Sequence, residues 1–264
     1  MRAVLSVEDN DYTFLAAMQE QCSRRGTLVP MTAANLRARV RAEMTEEIKQ
    51  VAQRHLATDG ANLSLRAVAR DLGMASSAVY RYFASRDELL TAMIIDAYEA
   101  VGAAAARADA AATVASSPAV APVERWVAIS HAVRDWAVAN PHQWALIYGS
   151  PVPGYEAPQD TIESAIRVIM LLAGVLRDAL AAGELPAVPG QPAGRFGEEL
   201  AAVAAQFGLD TPAHLVGATM YGFVHLCGAI STELYGQLNN SIDEDRRGFF
   251  EWQMRATAAF AGLR

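Results

Sequence analysis

A chain of 264 residues, 52% of them hydrophobic, can bury a full core and is long enough for two domains. Its net charge of −7 argues at first against a polyanionic partner, and two cysteines far apart in sequence offer neither a disulfide framework nor a metal spacing, so two free thiols are expected. The longest apolar run, residues 211–230, carries His214, His225 and three glycines and reads as a buried helix, so no membrane span is expected.

Residues 1–30 hold Glu8, Asp9 and Asp11 near their start and lack the basic region of a secretory signal. Tyr12, Leu15, Met18 and Cys22 fall on one stripe of a short helix. The segment reads either as an arm whose Arg24 and Arg25 touch a DNA minor groove or as an extension upstream of a start at Met31. From Ala33 to Thr58 the periodicity predicts a long helix with Met44, Ile48, Val51, Ala52 and Leu56 on its buried side, ended by Asp59-Gly60. Arg37, Arg39 and Arg41 near its start either extend toward a DNA backbone or form a solvated basic face.

Leu65, Val68, Ala69 and Leu72 recur at helical spacing and predict a short helix. Gly73 supplies the backbone freedom of a sharp turn, and a second short helix starts near Ala75. In it Val79 and Phe83 face a core, while Ser76, Ser77, Tyr80, Arg81 and Tyr82 leave the other side small, polar and aromatic. Such a face suits a helix laid in a DNA major groove: short side chains permit close approach, and Tyr and Arg reach phosphates and base edges. The charge distribution agrees. Residues 24–86 hold eleven Arg or Lys against five Asp or Glu, a net +6, whereas the remainder holds eleven against twenty-four, a net −13.

Residues Leu65 to Leu72, Gly73-Met74-Ala75, Val79-Tyr80-Arg81-Tyr82-Phe83 and Ser85-Arg86-Asp87-Glu88-Leu89-Leu90 together resemble the DNA-binding domain of the TetR (tetracycline repressor-like) family of bacterial transcription regulators. That family usually has His at the position of Tyr82 and Lys at that of Arg86; both replacements keep a group that hydrogen-bonds a phosphate. The resemblance implies that Ala75, Ser76, Ser77 and Tyr80 meet double-stranded DNA, with Arg81 and Tyr82 alongside and Ser64 and Arg66 near the backbone. Ser and Tyr make few bidentate base contacts, so phosphates should carry much of the affinity and salt should weaken it steeply. One helix reads few base pairs, so a homodimer on a palindromic operator is expected, with half-sites about one or two helical turns apart.

Ser85 to Glu88 fits a capping box, Ser85 accepting from backbone amides and Glu88 reaching back. It opens a long helix through Leu89, Leu90, Met93, Ile94, Ala97, Tyr98 and Val101, whose amide-rich start makes phosphate the expected neighbour of Arg86. In the family this helix links head to body, and its tilt sets the separation of the heads. The alanine-dense residues 103–121, with Ser116-Ser117-Pro118, predict a frayed end and a loop. Pro122 starts a helix that stops near Asn140-Pro141, a short helix holds Trp144 to Tyr148, and residues 149–154 form a loop. Helices are predicted over 161–182 and 196–207, separated by a loop with three prolines. Thr211 is expected to cap, and Pro212 to begin, a helix reaching Tyr235; residues 242–263 form the last. No period-two pattern appears. The expected fold is all-α: an arm or extension (1–30), a three-helix helix-turn-helix DNA-binding domain (31–84), and a larger helical regulatory and dimerisation domain (85–264).

Met220 to Leu226 resembles, more loosely, the body of TetR-family members in which a late helix packs at the subunit interface. The last two helices carry Phe223, Ile230, Leu234, Phe249, Phe250, Trp252 and Phe260 on more than one face. Pairing across a two-fold axis as a four-helix bundle covers both faces; otherwise these residues pack the body's own core. Trp126, His131, Trp136, Trp144, Tyr148, Met170, Met220, Tyr221 and His225 come from helices around the body's centre and suit a small-molecule pocket as well as an ordinary core. The family resemblance inclines the reading to a pocket. His55, His131, His142, His214 and His225 show no metal-ligand spacing, and no nucleophile or phosphate-loop motif occurs. No metal, no cofactor and no catalysis are therefore expected. The chain reads as a cytoplasmic bacterial regulator, a repressor released by a small-molecule effector, or alternatively an architectural DNA-binding protein without one.

Overall fold

A computed structural model describes residues 33–59, 63–114, 121–185, 192–209 and 211–264; the expectations for residues 1–30, for the loops at 115–120 and 186–191, and for Cys22 and Gly60 lie outside them. Among the described residues every regular element is helical. The chain forms two compact units, residues 1–50 and 51–264, which divide within the first described helix, α1 (Ala33–Asp59). In the first unit Arg37, Arg39 and Arg41 are exposed and Ile48 is buried. Arg39 pairs with Glu43 one turn on, at 2.7 Å, and Lys49 with Glu46 at 2.8 Å.

The second unit begins with the end of α1, where Val51 and Ala52 are buried. It continues through α2 (Leu65–Asp71), α3 (Ser76–Val79), α4 (Arg86–Val114), α5 (Pro122–Ala139) and α6 (Pro141–Tyr148). Prolines open both α5 and α6, where the first turn needs no amide partner. The single helix predicted over 161–182 is broken: a 3₁₀ turn (Gln159–Thr161) leads into α7 (Ile162–Ala165), and after Ile166 the chain resumes as α8 (Arg167–Ala181). No glycine or proline marks that break, and the apolar spacing runs through it, so periodicity could not reveal it.

Then come α9 (Gly194–Gln206), α10 (Ala213–Leu234) and α11 (Arg246–Phe260). Pro212, not Thr211, is the cap residue of α10; it stays extended at ψ 142° and its carbonyl accepts from Leu215 at 2.9 Å. The last helix starts four residues later than expected because Asp245 caps it, accepting from the Gly248 amide at 2.8 Å, and a turn with Asn240 at φ 63° precedes it.

The body's core joins Val101 and Ala105 of α4, Trp126, Ile129 and Val133 of α5, Trp144 of α6, Leu172 and Leu176 of α8, Leu226 and Ile230 of α10, and Phe250 and Met254 of α11. A smaller cluster of Leu200, Ala204 and Val216 attaches α9 to α10. Charged pairs bind the helices at the rim. Arg125 grips Asp109 of α4 through two bonds (2.8 and 3.1 Å) and Asp178 of α8 at 3.0 Å. Arg134, 9% exposed, grips both carboxylate oxygens of Glu233 at 2.7 and 2.5 Å. The helices α4 and α10 are long and apolar enough to cross a membrane, yet each places much of that surface in the core.

Candidate nucleic-acid interface and body cavity

The helix-turn-helix is assembled by local chemistry. Leu65, Val68 and Ala69 bury one side of α2. Ser64 occupies its cap position, but the hydroxyl makes no cap bond. At the other end Gly73 takes φ +67°, its amide bonding Arg70 O at 3.1 Å while Met74 bonds Ala69 O at 2.9 Å. That pair of reversed bonds is a Schellman cap. A Cβ at Gly73 would meet nothing within 4 Å, so the backbone angle, not space, calls for glycine.

Only Ser76–Val79 is regular helix, but Tyr80 N to Ser76 O (3.2 Å) and Phe83 N to Val79 O (3.1 Å) extend the winding to Phe83. Val79 and Phe83 are buried and fix this segment, which leaves Tyr80 44% exposed. Of the residues expected at DNA, Ser64, Arg66, Ala75, Ser77, Tyr80 and Arg81 are exposed, and Ser76, Tyr82 and Arg86 are half-buried. Sequence reasoning passed over Arg70, which is exposed four residues after Arg66 and so shares its helix face. His55 Nε2 stands 2.8 Å from Asp71 Oδ2, joining the ends of α1 and α2.

The start of α4 departs in one detail from the expected box. Ser85 Oγ accepts from the Glu88 amide at 3.1 Å, but Glu88 accepts from Ala84 N at 2.5 Å, one residue before the cap. Arg86 lies in this first turn, 3.3 Å from Asp87. Farther along, α4 is held to the body: Thr91 meets the Tyr155 hydroxyl at 2.9 Å, and Tyr98 donates to Ile147 O at 3.1 Å, with burial raising the Tyr98 pKa. Gly102 lets the Arg167 side chain lie on the α4 backbone, since a Cβ there would stand 3.0 Å from Arg167 Cβ.

The body holds a cavity of about 280 Å³ bounded by Ile166, α8, α9, Phe207, Leu209, Thr211 and α10. Among the nine expected pocket residues it takes Met170 and Met220. The others serve elsewhere. Trp126 and Trp144 are core residues whose indole N–H groups donate to Thr257 and Ser231 hydroxyls, each at 3.1 Å. Tyr148 rests against Trp144 with ring centres 4.4 Å apart, its pKa raised by burial, and Trp136 packs on the same core. His131 lies 3.3 Å from Glu251, and burial, then Arg247, lowers its pKa. Tyr221 packs at a tilt against Phe260 and His225. Periodicity shows which side chains face inward but not which of them border a void. Phe207 and Val203, which line the space, were not among the expected pocket residues.

The apolar surface of the last two helices also differs from expectation. Ile230 and Phe250 are 1% and 2% exposed and belong to the core, while Phe223, Leu234 and Phe249 are half-buried. Trp252 and Phe260 are exposed, joined by Tyr221 and Val224 of the Met220 to Leu226 segment. Among the described residues no three His, Cys, Asp or Glu side chains gather as a metal site.

Comparison with known proteins agrees with this geometry. Residues 49–93 match the family model for bacterial regulatory proteins of the tetR family, and residues 126–257 match a tetracyclin repressor-like C-terminal domain. The chain is 37% identical over 225 residues to the HTH-type transcriptional regulator Rv1816 of Mycobacterium tuberculosis and to Mb1846 of Mycobacterium bovis, covering 83% of this chain and 92% of each relative. Among solved structures, a regulatory protein, SCO4313, is 32% identical, with a TM-score of 0.65 over 84% of this chain and 98% of that one. A tetR-family protein from Rhodococcus RHA1, 15% identical with a TM-score of 0.56 over 83% of this chain and 97% of that one, shares the fold.

Proposed function

The chain belongs to the TetR family of bacterial transcription regulators, and from that membership we propose a repressor that holds a palindromic operator as a homodimer and leaves it when a small molecule enters the body. The observation that carries this reading is the exposed Ser77, Tyr80 and Arg81 surface, anchored from beneath by buried Val79 and Phe83 and preceded by exposed Arg66 and Arg70. Serine permits close approach to base edges, and the cations neutralise phosphates.

Exposed Tyr221, Val224, Trp252 and Phe260 support pairing of two copies through α10 and α11, because large exposed apolar side chains on adjoining helices call for a partner surface. Two heads then read two half-sites. The helix α4 carries Arg86 at one end and the body contacts of Tyr98 and Gly102 beyond it, so a change in the body that tilts α4 changes head spacing. An effector acts only through its different affinity for the two arrangements, each tenfold preference being worth about 1.4 kcal/mol. Access to operator DNA calls for a place in the bacterial cytoplasm.

Footprinting on the DNA upstream of its own gene tests the reading. It predicts a two-fold symmetric protected site whose halves lie about one or two helical turns apart, lost steeply as salt rises. Uniform protection without a discrete site would indicate an architectural binder instead.

A further inference from the structure

We infer that the cavity beside α9 takes an uncharged, mainly apolar molecule bearing one hydrogen-bond donor, about the size of a bicyclic aromatic. The inference rests on the reading that an effector binds the body, and supplies its chemistry.

The walls decide the polarity. Met170 and Ala173 of α8, Phe207 after α9, and Val216 and Met220 of α10 present hydrocarbon and thioether surface, and among the described residues no charged side chain lines the space. A carboxylate or ammonium entering it would shed water without meeting a counter-charge, which is strongly unfavourable. Hydroxyls come from threonine alone, and Thr219 Oγ1 already donates its hydrogen to Leu215 O at 2.8 Å. Toward a ligand the Thr219 oxygen can therefore only accept, so at that wall a ligand hydroxyl or N–H suits it; the other hydroxyl, of Thr211, stands at the loop side of the space.

Size follows from volume. The cavity's 280 Å³ is about twice an apolar cavity of ~150 Å³ that stays dry and admits benzene. Close-packed interiors keep few voids of this size, so it reads as a binding space rather than a packing defect. Its position gives binding a consequence. Ile166, where the chain breaks between α7 and α8, and Met170 also border the cleft against Gly102, Ala103 and Ala106 of α4. A molecule seated against Ile166 and Met170 thus pushes on residues that abut the helix leading to Arg86.

The test uses the full chain with three probes of one shape: 2-naphthol, naphthalene and 2-naphthoate, measured by calorimetry and by release of the footprinted operator. 2-Naphthol should bind one per protomer and release the operator, naphthalene about tenfold more weakly for want of the hydrogen bond, and 2-naphthoate at least about 100-fold more weakly. Ala173→Phe should fill the space and abolish 2-naphthol binding. Thr219→Val should reduce 2-naphthol to the level of naphthalene while leaving naphthalene unchanged, and it keeps the test decisive if Ala173→Phe fails to fold. Tight binding of 2-naphthoate, full 2-naphthol binding by folded Ala173→Phe or by Thr219→Val, or no probe binding by a protein that still footprints would overturn this inference and leave the regulator reading standing. Absence of any discrete footprint would overturn the regulator reading, whatever the probes do.

Discussion

A Cβ on Gly222 would stand 2.3 Å from Cζ2 of Trp126, so the backbone of α10 lies directly on the indole at the centre of the body. Only glycine permits that approach, and Trp126 in turn donates to Thr257 of α11, so three helices converge on one side chain. Gly222→Ala should cost about 1–3 kcal/mol through overpacking, read as a lower thermal midpoint. Gly174→Ala serves as the control, since its Cβ would meet only a flexible Arg177 nitrogen at 4.0 Å. It should stabilise by up to about 1 kcal/mol through helix propensity.

The Arg134–Glu233 pair joins α5 to α10 at positions little exposed to water. Glu233→Leu should destabilise by up to about 3–5 kcal/mol, because it leaves the little-exposed guanidinium with only the longer 3.3 Å bond to Asp135. Arg134→Met combined with Glu233→Leu should lose clearly less than the two single losses added, as measured by chemical denaturation. Additive losses would show that the pair is not coupled.

Burial holds the His131 pKa below its ordinary 6.5, with Arg247 adding to the effect against the opposing pull of Glu251. Between the folded and unfolded values the unfolded chain binds the proton that the folded chain refuses. Stability should therefore be intact above about pH 6.5 and decline as the pH falls below it. In thermal melts at about pH 7.5 and 5.5 the wild type should lose more than His131→Gln; an equal loss would remove His131 as the cause.

Val224 and Trp252 are 68% and 67% exposed on α10 and α11. Val224→Glu with Trp252→Glu should leave the helical content unchanged and convert a dimer to monomer in sedimentation velocity. Operator affinity should fall with it, because one head then reads one half-site. An unchanged dimer would place the interface elsewhere.

Much of the head was legible because its signals are local. Gly73 after Leu72 announced the sharp turn, and Val79 and Phe83 announced the buried side, each acting within a few residues. The body yielded less. Trp144 and Trp126 look like pocket residues by type, but whether an inward-facing aromatic borders a void depends on how helices far apart in sequence are spaced. Ile230 and Phe250 show the same limit, since an apolar residue on a two-sided helix is equally suited to core and interface. The break at Ile166, set by no glycine or proline, carries no sequence signature at all.

The central claim is that the short helix after Gly73 reads DNA. Fluorescence titration of the footprinted duplex compares wild type with the Tyr80→Ala/Arg81→Ala variant at fixed salt, after circular dichroism has shown both equally helical. The account predicts affinity lower by at least about 100-fold, from loss of a phosphate-binding cation and a groove-facing ring on each of two heads. Equal affinity of the two proteins would contradict it.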